Sequence, residues 1–254
     1  IGRSPARVVD FERYLIAVQK YLKGEEVLFE DLKFGETVSR GVDELGLAAS
    51  AIASQINWLP GRLGKVDVEV AATGPKVISA AARHSDRIMF ALGADHERIK
   101  WGIEIARKAR KDEGLDPDEI DYGAYVNIIC HSNLEKAREL VRGGLSTFAR
   151  FSVMHGEVVG PISSEDEKVM NELHERYDMR SHTRADSDQA SLLSNDFVDN
   201  YSIVGAPDRC IERIQKLSDL GLDKFIFVGA TLGSDQNAAA ESDALIAREV
   251  VANL

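Results

Sequence analysis

The chain has 254 residues, 44% of them hydrophobic, and a formal net charge of −11. That length suffices for one large core or two small ones, and does not choose between them, because α/β barrels of this size are often single domains. The acidity, without any Lys/Arg-rich block, argues against nucleic acid as a partner, because phosphate neutralisation dominates that affinity. No apolar run approaches the ~20 residues of a membrane span, so no membrane association is expected.

In chain order, residues 6 to 58 read as mostly helical, with Val8, Phe11, Leu15, Val18 and Leu22 spaced for one buried face. Four strand-like runs follow: Val66 to Ala72, Asp86 to Leu92, Tyr122 to Cys130, and Lys224 to Val228. Three of them are nearly continuous apolar stretches, the pattern of parallel strands covered on both faces. Asp95 is placed to cap a helix whose Ile99, Ile103 and Ala106 share a face, with Gly114 just past its end. The long span from His131 to Leu220 holds a helix near Asn133 to Arg150, a loop around His155 to Pro161, and a helix near Glu165 to Tyr177. The polar stretch Arg180 to Ser191 then reads as a solvated loop. Pro207 fits a first helical turn followed by Ile211, Ile214 and Leu217, with Gly221 as the stop. Gly-Leu-Asp stands twice before a strand, at 114–116 and 221–223, which points to repeated β/α units.

The stretch Val66 to Pro75 carries the most chemistry. A strand passes through Ala71, Ala72, Thr73 and Gly74 into a helix that begins at Pro75, baring backbone N–H groups at the positive end of a helix dipole. The small residues leave room, Thr73 offers a hydroxyl, and Gly74 permits close backbone approach. The competing reading is simple packing where a helix meets a sheet. Leu92-Gly93-Ala94 ends the next strand on the same side, either as a second cofactor contact or as a tight turn ahead of Asp95. His131 ends a strand and is a candidate catalytic group for polarising a substrate or moving a proton, although a histidine there can equally just bond a nearby carbonyl. His155 is a candidate substrate contact. His84 and His96 read as surface or interhelical residues, and Arg142 and Arg150 as solvated or salt-bridged on a helix that also carries Glu135 and Glu139. Cys130 and Cys210, the only cysteines, sit among apolar neighbours and are expected to be buried reduced thiols of a cytoplasmic protein. No residue pattern suggests a metal site.

Several segments together resemble the luciferase-like flavin and deazaflavin oxidoreductases, most closely the methylenetetrahydromethanopterin reductase branch. They are Val70 to Lys76, Ser85 to Met89, Asp118 to Tyr125, Asp196 to Asp199, Val204 to Pro207, and Gly221 to Gly229. The resemblance implies an α/β fold, a (β/α)8 TIM barrel, with strands similar to the fifth to eighth present and a helical insertion before the last strand. It also implies that the first half of the barrel, including the turn that supports the cofactor ring, is missing here, so that the chain is expected to be part of a longer protein. Half a barrel has two open sheet edges that invite pairing, and a homodimer or higher homo-oligomer is expected.

The resemblance assigns the turn Ala71 to Pro75 to the phosphate of the cofactor's tail, the cofactor being coenzyme F420 or FMN. The implied activity is hydride transfer between coenzyme F420 and a small-molecule organic substrate. The alternatives are an FMN-dependent monooxygenase supplied by a separate flavin reductase, and a non-catalytic cofactor-binding or dimerisation module. Hydride chemistry belongs largely to the cofactor, so spacing alone demands no acid/base pair.

Overall fold

The computed structural model describes residues 5–32, 46, 49–59 and 64–254. Helix α1 (Val8–Leu22) forms where its apolar spacing predicts, burying Leu15 and packing Phe11 against the main core. Gly24, in the left-handed conformation at φ 70°, follows its end, and Gln55 Nε2 donates to the Gly24 carbonyl. Beyond that point the expected helical character of residues 6–58 gives way, among the described residues, to a short antiparallel pair, β1 (Val27–Leu28) and β2 (Ala53–Ser54), and a 3-10 turn at Phe29–Leu32. The rest of that expectation lies outside the described residues.

The main sheet is parallel. It comprises β3 (Glu69–Ala72), β4 (Arg87–Phe90), β5 (Asp121–Cys130), β6 (Ile203–Gly205) and β7 (Leu222–Val228), with helices α2 (Pro75–His84) and α3 (His96–Asp112) between the first strands. The order runs β3-β4-β5, with β7 on the far side of β5. β6 was not legible beforehand: it is only three residues long and pairs with the last three residues of β5, Ile128 to Cys130. It lies beyond the end of β4, where the Ala94 N–H donates to the Tyr201 carbonyl. β3 starts later than its β-branched run because the Val68 N–H is drawn to the Asp86 carboxylate (2.7 Å) rather than to a ladder.

Four of the expected strands are thus present with a fifth added. Among the described residues the sheet is open, with β3, β6 and β7 each paired on one side only. It is also strongly curled. Lys224 on β7 reaches both carboxylate oxygens of Glu69 on β3 (2.7 and 2.9 Å) although β4 and β5 lie between. Three flat strand spacings would separate those strands by roughly 14 Å, so the sheet bends toward this face like the wall of a barrel. Arg87 sits in the hollow of the bend, bonding Glu69 (3.2 Å), Asp121 (3.1 Å) and Asp223. Burial alone would lower the Arg87 pKa, but these carboxylates outweigh it and hold the guanidinium above its ordinary value.

The convex face carries Val70, Ile88, Phe90, Ala124, Val126 and Ile128 into a core shared with α2, α3 and α8 (Pro207–Ser218). Between β5 and β6 the chain makes a helical excursion: α4 (Leu134–Phe151), α5 (Ser164–Arg176), α6 (Asp188–Ser191) and α7 (Asn195–Tyr201). It has a second core of its own around Leu140, Val141, Leu145, Leu173, Phe197 and Tyr201. The stretch Arg180 to Ser191 is not a plain solvated loop. Gln189 is 1% exposed, donating to the carbonyls of Asp178 and Ser181 and accepting from the Asp178 N–H. α9 (Gln236–Leu245) follows β7.

Carboxylates dock α1 onto this frame. Glu12 takes Arg83 (2.6 Å) and His84 (3.0 Å) from α2. Asp86 takes Lys65 (2.5 Å), the Val68 N–H and Gln19 (3.1 Å). Partial burial would raise both carboxyl pKa values, but these donors more than compensate, and both lie below the usual range. A carboxylate with a depressed folded pKa contributes stability above its unfolded pKa and loses it as pH falls through the folded one. The urea midpoint should therefore fall steadily below about pH 4. Asp86→Asn should be less stable at pH 7 and lose less on acidification. An unchanged acid slope in that variant would contradict the assignment.

Candidate functional site

The C-terminal ends of the strands gather the candidate residues on one side of the sheet. After β3, Ala72 is buried while Ala71 and Pro75 are exposed. Thr73 Oγ1 donates to the Ala91 carbonyl (3.3 Å), which brings the Thr73 turn against the Leu92-Gly93-Ala94 turn after β4. Gly74 is the N-cap of α2 at φ −89° and ψ 154° and supplies no side chain to the first helical amides. A Cβ built on Gly74 would meet nothing within 4 Å. Neither backbone strain nor crowding within this chain calls for a glycine here, so the free space lies outward, where a ligand would approach. The first turn of α2 holds no acidic residue, and Lys76 stands in it. A second uncapped start, Ala206-Pro207 before α8, differs because Asp208 already supplies a negative charge to its first turn. Helix α1 is uncapped too but carries Asp10 in its first turn, whereas α3, α4, α5 and α9 are capped by Asp95, Asn133, Ser163 and Asp235. The start of α2 is thus open and free of competing negative charge, as an anion site requires.

Gly93 is buried at φ 79°, and a Cβ there would overlap the Tyr201 ring. The packing of Tyr201 accounts for this glycine. His131 lies across β4 from Thr73. Its N–H donates to the Gly205 carbonyl (2.8 Å), its Nδ1 accepts from the Asn133 N–H (2.9 Å), and its Nε2 stands 3.9 Å from the Glu241 carboxylate. Those bonds fix the ring at the start of α4. His155 is exposed in the turn after α4. The structure therefore brings together the Thr73 and Gly93 turns, and places His131 at the end of β5 and His155 in the turn after α4. Both cysteines are free and buried, and burial pushes the Cys210 thiol up to about 12, which leaves it protonated and unreactive. His84 is engaged with Glu12, and His96 with Glu97.

The group that sequence reasoning missed is Arg98. It is fully buried on α3, yet no carboxylate is among its hydrogen-bond partners. Nε donates to the Leu92 carbonyl (3.1 Å), one terminal nitrogen to the Pro161 carbonyl (3.0 Å), and the other to Ser152 Oγ and the Val159 carbonyl (both 2.9 Å). The guanidinium also lies 5.3 Å from the centre of the Tyr201 ring, whose hydroxyl shares a hydrogen bond with Ser152 (3.0 Å). Gly160, at φ 88°, leaves the room this requires, since a Cβ there would crowd Trp101 and Arg98. The available signal was position: Arg98 falls within the apolar stripe of Ile99, Gly102 and Ile103. Arg213 makes a related clamp from α8, donating to the carbonyls of Ala94, Asp199 and Asn200. Burial lowers its pKa.

The family described as luciferase-like monooxygenase matches residues 50–224. The chain belongs to this family. Within it, the chain is 26% identical to the 5,10-methylenetetrahydromethanopterin reductase of Archaeoglobus fulgidus, over 100% of the chain and 73% of that protein. It is 23% identical to the reductase of the same name from Methanolobus tindarius, over 93% of the chain and 64% of that protein. The fold is shared with the coenzyme F420 dependent tetrahydromethanopterin reductase of Methanopyrus kandleri (TM-score 0.59, 19% identity, 94% of this chain and 61% of that one). It is also shared with the oxygenating constituent of 3,6-diketocamphane monooxygenase from Pseudomonas putida, solved with FMN (TM-score 0.51, 17% identity, 95% and 61%). The chain thus spans between about three-fifths and three-quarters of the length of these luciferase-like relatives.

Arg98→Met should strip four acceptors of their donor inside the fold. We expect a loss of about 3 kcal/mol or more in urea unfolding, with faster proteolysis of the 152–161 turn at low protease. A change below 1 kcal/mol, on the scale of an ordinary surface substitution, would show that the guanidinium does not hold the excursion.

Proposed function

We propose that the protein acts as an oxidoreductase moving a hydride between coenzyme F420 and a small organic substrate, with the cofactor's tail phosphate held at Ala71 to Pro75. The observation that carries this is the α2 start: small residues, open space above Gly74, and a first turn with no acidic side chain. The amides of Lys76 and Val77 have no partner within an α-helix by its geometry, and they face the end where the dipole favours negative charge. Lys76 adds a cation in the same turn. Thr73 is held by Ala91, which fixes the turn before any ligand arrives. Similarity to reductases along the whole chain supports coenzyme F420 over other phosphate-bearing cofactors.

When bound, the deazaflavin carries the hydride, and the chain's own contribution is to anchor, orient and shield. Ala71 to Pro75 anchors the tail. The neighbouring Gly93 turn, rigid beneath Tyr201, offers backbone only. No side-chain acid is assigned from this chain. His131, engaged with Asn133 and facing Glu241, shapes the start of α4, and His155 in its exposed turn is assigned no contact. A second reading, an FMN-dependent monooxygenase working with a separate flavin reductase, is favoured by the family's description and by the FMN-bound relative. It uses the same anchor.

Gly74→Asp separates anchoring from folding. Aspartate is a good N-cap, within a few tenths of a kcal/mol of glycine or better, and nothing crowds it here. Its carboxylate would cap the same amides and repel phosphate. The melting temperature should hold or rise while affinity for coenzyme F420 and FMN falls at least about tenfold. Binding of riboflavin, which lacks the phosphate, should be unaffected. Unchanged affinity for both phosphorylated cofactors would remove the anchor from Ala71 to Pro75.

A further inference from the structure

At the C-terminal end of β7 a cavity of about 480 Å³ is lined by Thr183, Thr231, Leu232, Gln236, Ala240 and Asp243, among others. Two buried polar atoms at this end of the sheet have no partner: Thr231 Oγ1, and Nδ2 of Asn127, which is 2% exposed near the end of β5. Both lie beneath one turn of α4. A Cβ on Gly143 would overlap Thr231 Oγ1, and one on Gly144 would stand 2.9 Å from Asn127 Nδ2 and 3.3 Å from Thr231 Cγ2. The glycine pair lets the α4 backbone close over the two groups, and still no acceptor meets them. Each buried, unpaired group costs about 1–3 kcal/mol, and such groups are rare enough in folded proteins to need a cause. Thr183, on the wall of the cavity, adds another: it holds φ 64°, a left-handed conformation that a β-branched residue rarely adopts.

We propose that this cavity is a binding subsite for an uncharged organic molecule carrying a carbonyl oxygen together with an N–H or O–H. The Thr231 hydroxyl would donate to the carbonyl, and Asp243 would accept from the ligand's N–H or O–H. Among the described residues that line the cavity there is no Lys, Arg or His, so a carboxylate or phosphate would enter uncompensated and beside Asp243. Ala230, Leu232 and Ala239 supply apolar wall. This chemistry sets the cavity apart from the anion-binding turn after β3. Only in calling its ligand the substrate does this assignment rest on the oxidoreductase reading.

The test is titration of the full chain with 2-pyrrolidinone, a compact probe with one carbonyl and one N–H, followed by amide NMR of the Asn127 side chain and the Thr231 backbone. Saturable shifts in the millimolar range are expected, with none from propionate. Thr231→Val removes the orphan hydroxyl at constant shape. It should weaken probe binding about threefold or more while raising the melting temperature, and Thr231→Ser should restore binding. FMN affinity should be the same in all three proteins. Absence of saturable shifts, equal binding by Thr231→Val, or a loss of stability in that variant would overturn the subsite and make Thr231 a packing residue. Probe binding with no binding of either coenzyme F420 or FMN would instead overturn the phosphate anchor and leave the subsite standing.

Discussion

A single buried cation ties the sheet to its helical excursion. Withdrawing a guanidinium from water costs several kcal/mol in practice, and Arg98 has no carboxylate among its hydrogen-bond partners to offset it. The compensation comes from four hydrogen bonds to a charged donor, each of about 1.5–3 kcal/mol, and from the face of Tyr201. Those acceptors come from three places in the chain: the end of β4, the end of α4, and the loop ahead of α5. The end of α7 joins them through Tyr201. Their convergence explains why Gly93 and Gly160 are glycines with positive φ, since one makes room for Tyr201 and the other for Trp101 and Arg98. The excursion has its own apolar core, and Arg98, together with Arg213 and the Ala94–Tyr201 backbone bond, holds it over the strand ends.

The two ends of the sheet divide structural and ligand-binding roles. At the N-terminal end, Arg87 and Lys224 pair with Glu69, Asp121 and Asp223 across the hollow of the bend. Partners that need each other to be neutral favour a curled sheet over a flat one. At the C-terminal end, each candidate site instead lacks charge of one sign. The α2 start has no acidic first turn, and the cavity after β7 has no cation in its described wall. Paired charges at one end and open polar groups at the other is the arrangement expected of a barrel wall whose site lies beyond the carboxyl ends of its strands.

Much of this frame is legible in the amino-acid order, for local reasons. Apolar runs announce β4 and β5, Asp95 and Asn133 announce their caps, and small residues before Pro75 announce the open helix start. What escapes is carried by partners distant in sequence or by backbone atoms. β6 is too short for any period to register. Lys224 and Glu69 are joined only once the sheet bends. Arg98 and Gln189 look like surface residues because most of their partners are carbonyls, which leave no mark in a sequence. The orphan groups at Asn127 and Thr231 are visible only when α4 closes over them.

The central claim is that phosphate is held by the first amides of α2. Amide NMR with FMN and riboflavin tests it most directly, because the two ligands differ only in that phosphate. The Lys76 and Val77 amide signals should shift on binding FMN and stay in place with riboflavin. FMN binding that leaves both signals unmoved would contradict the account.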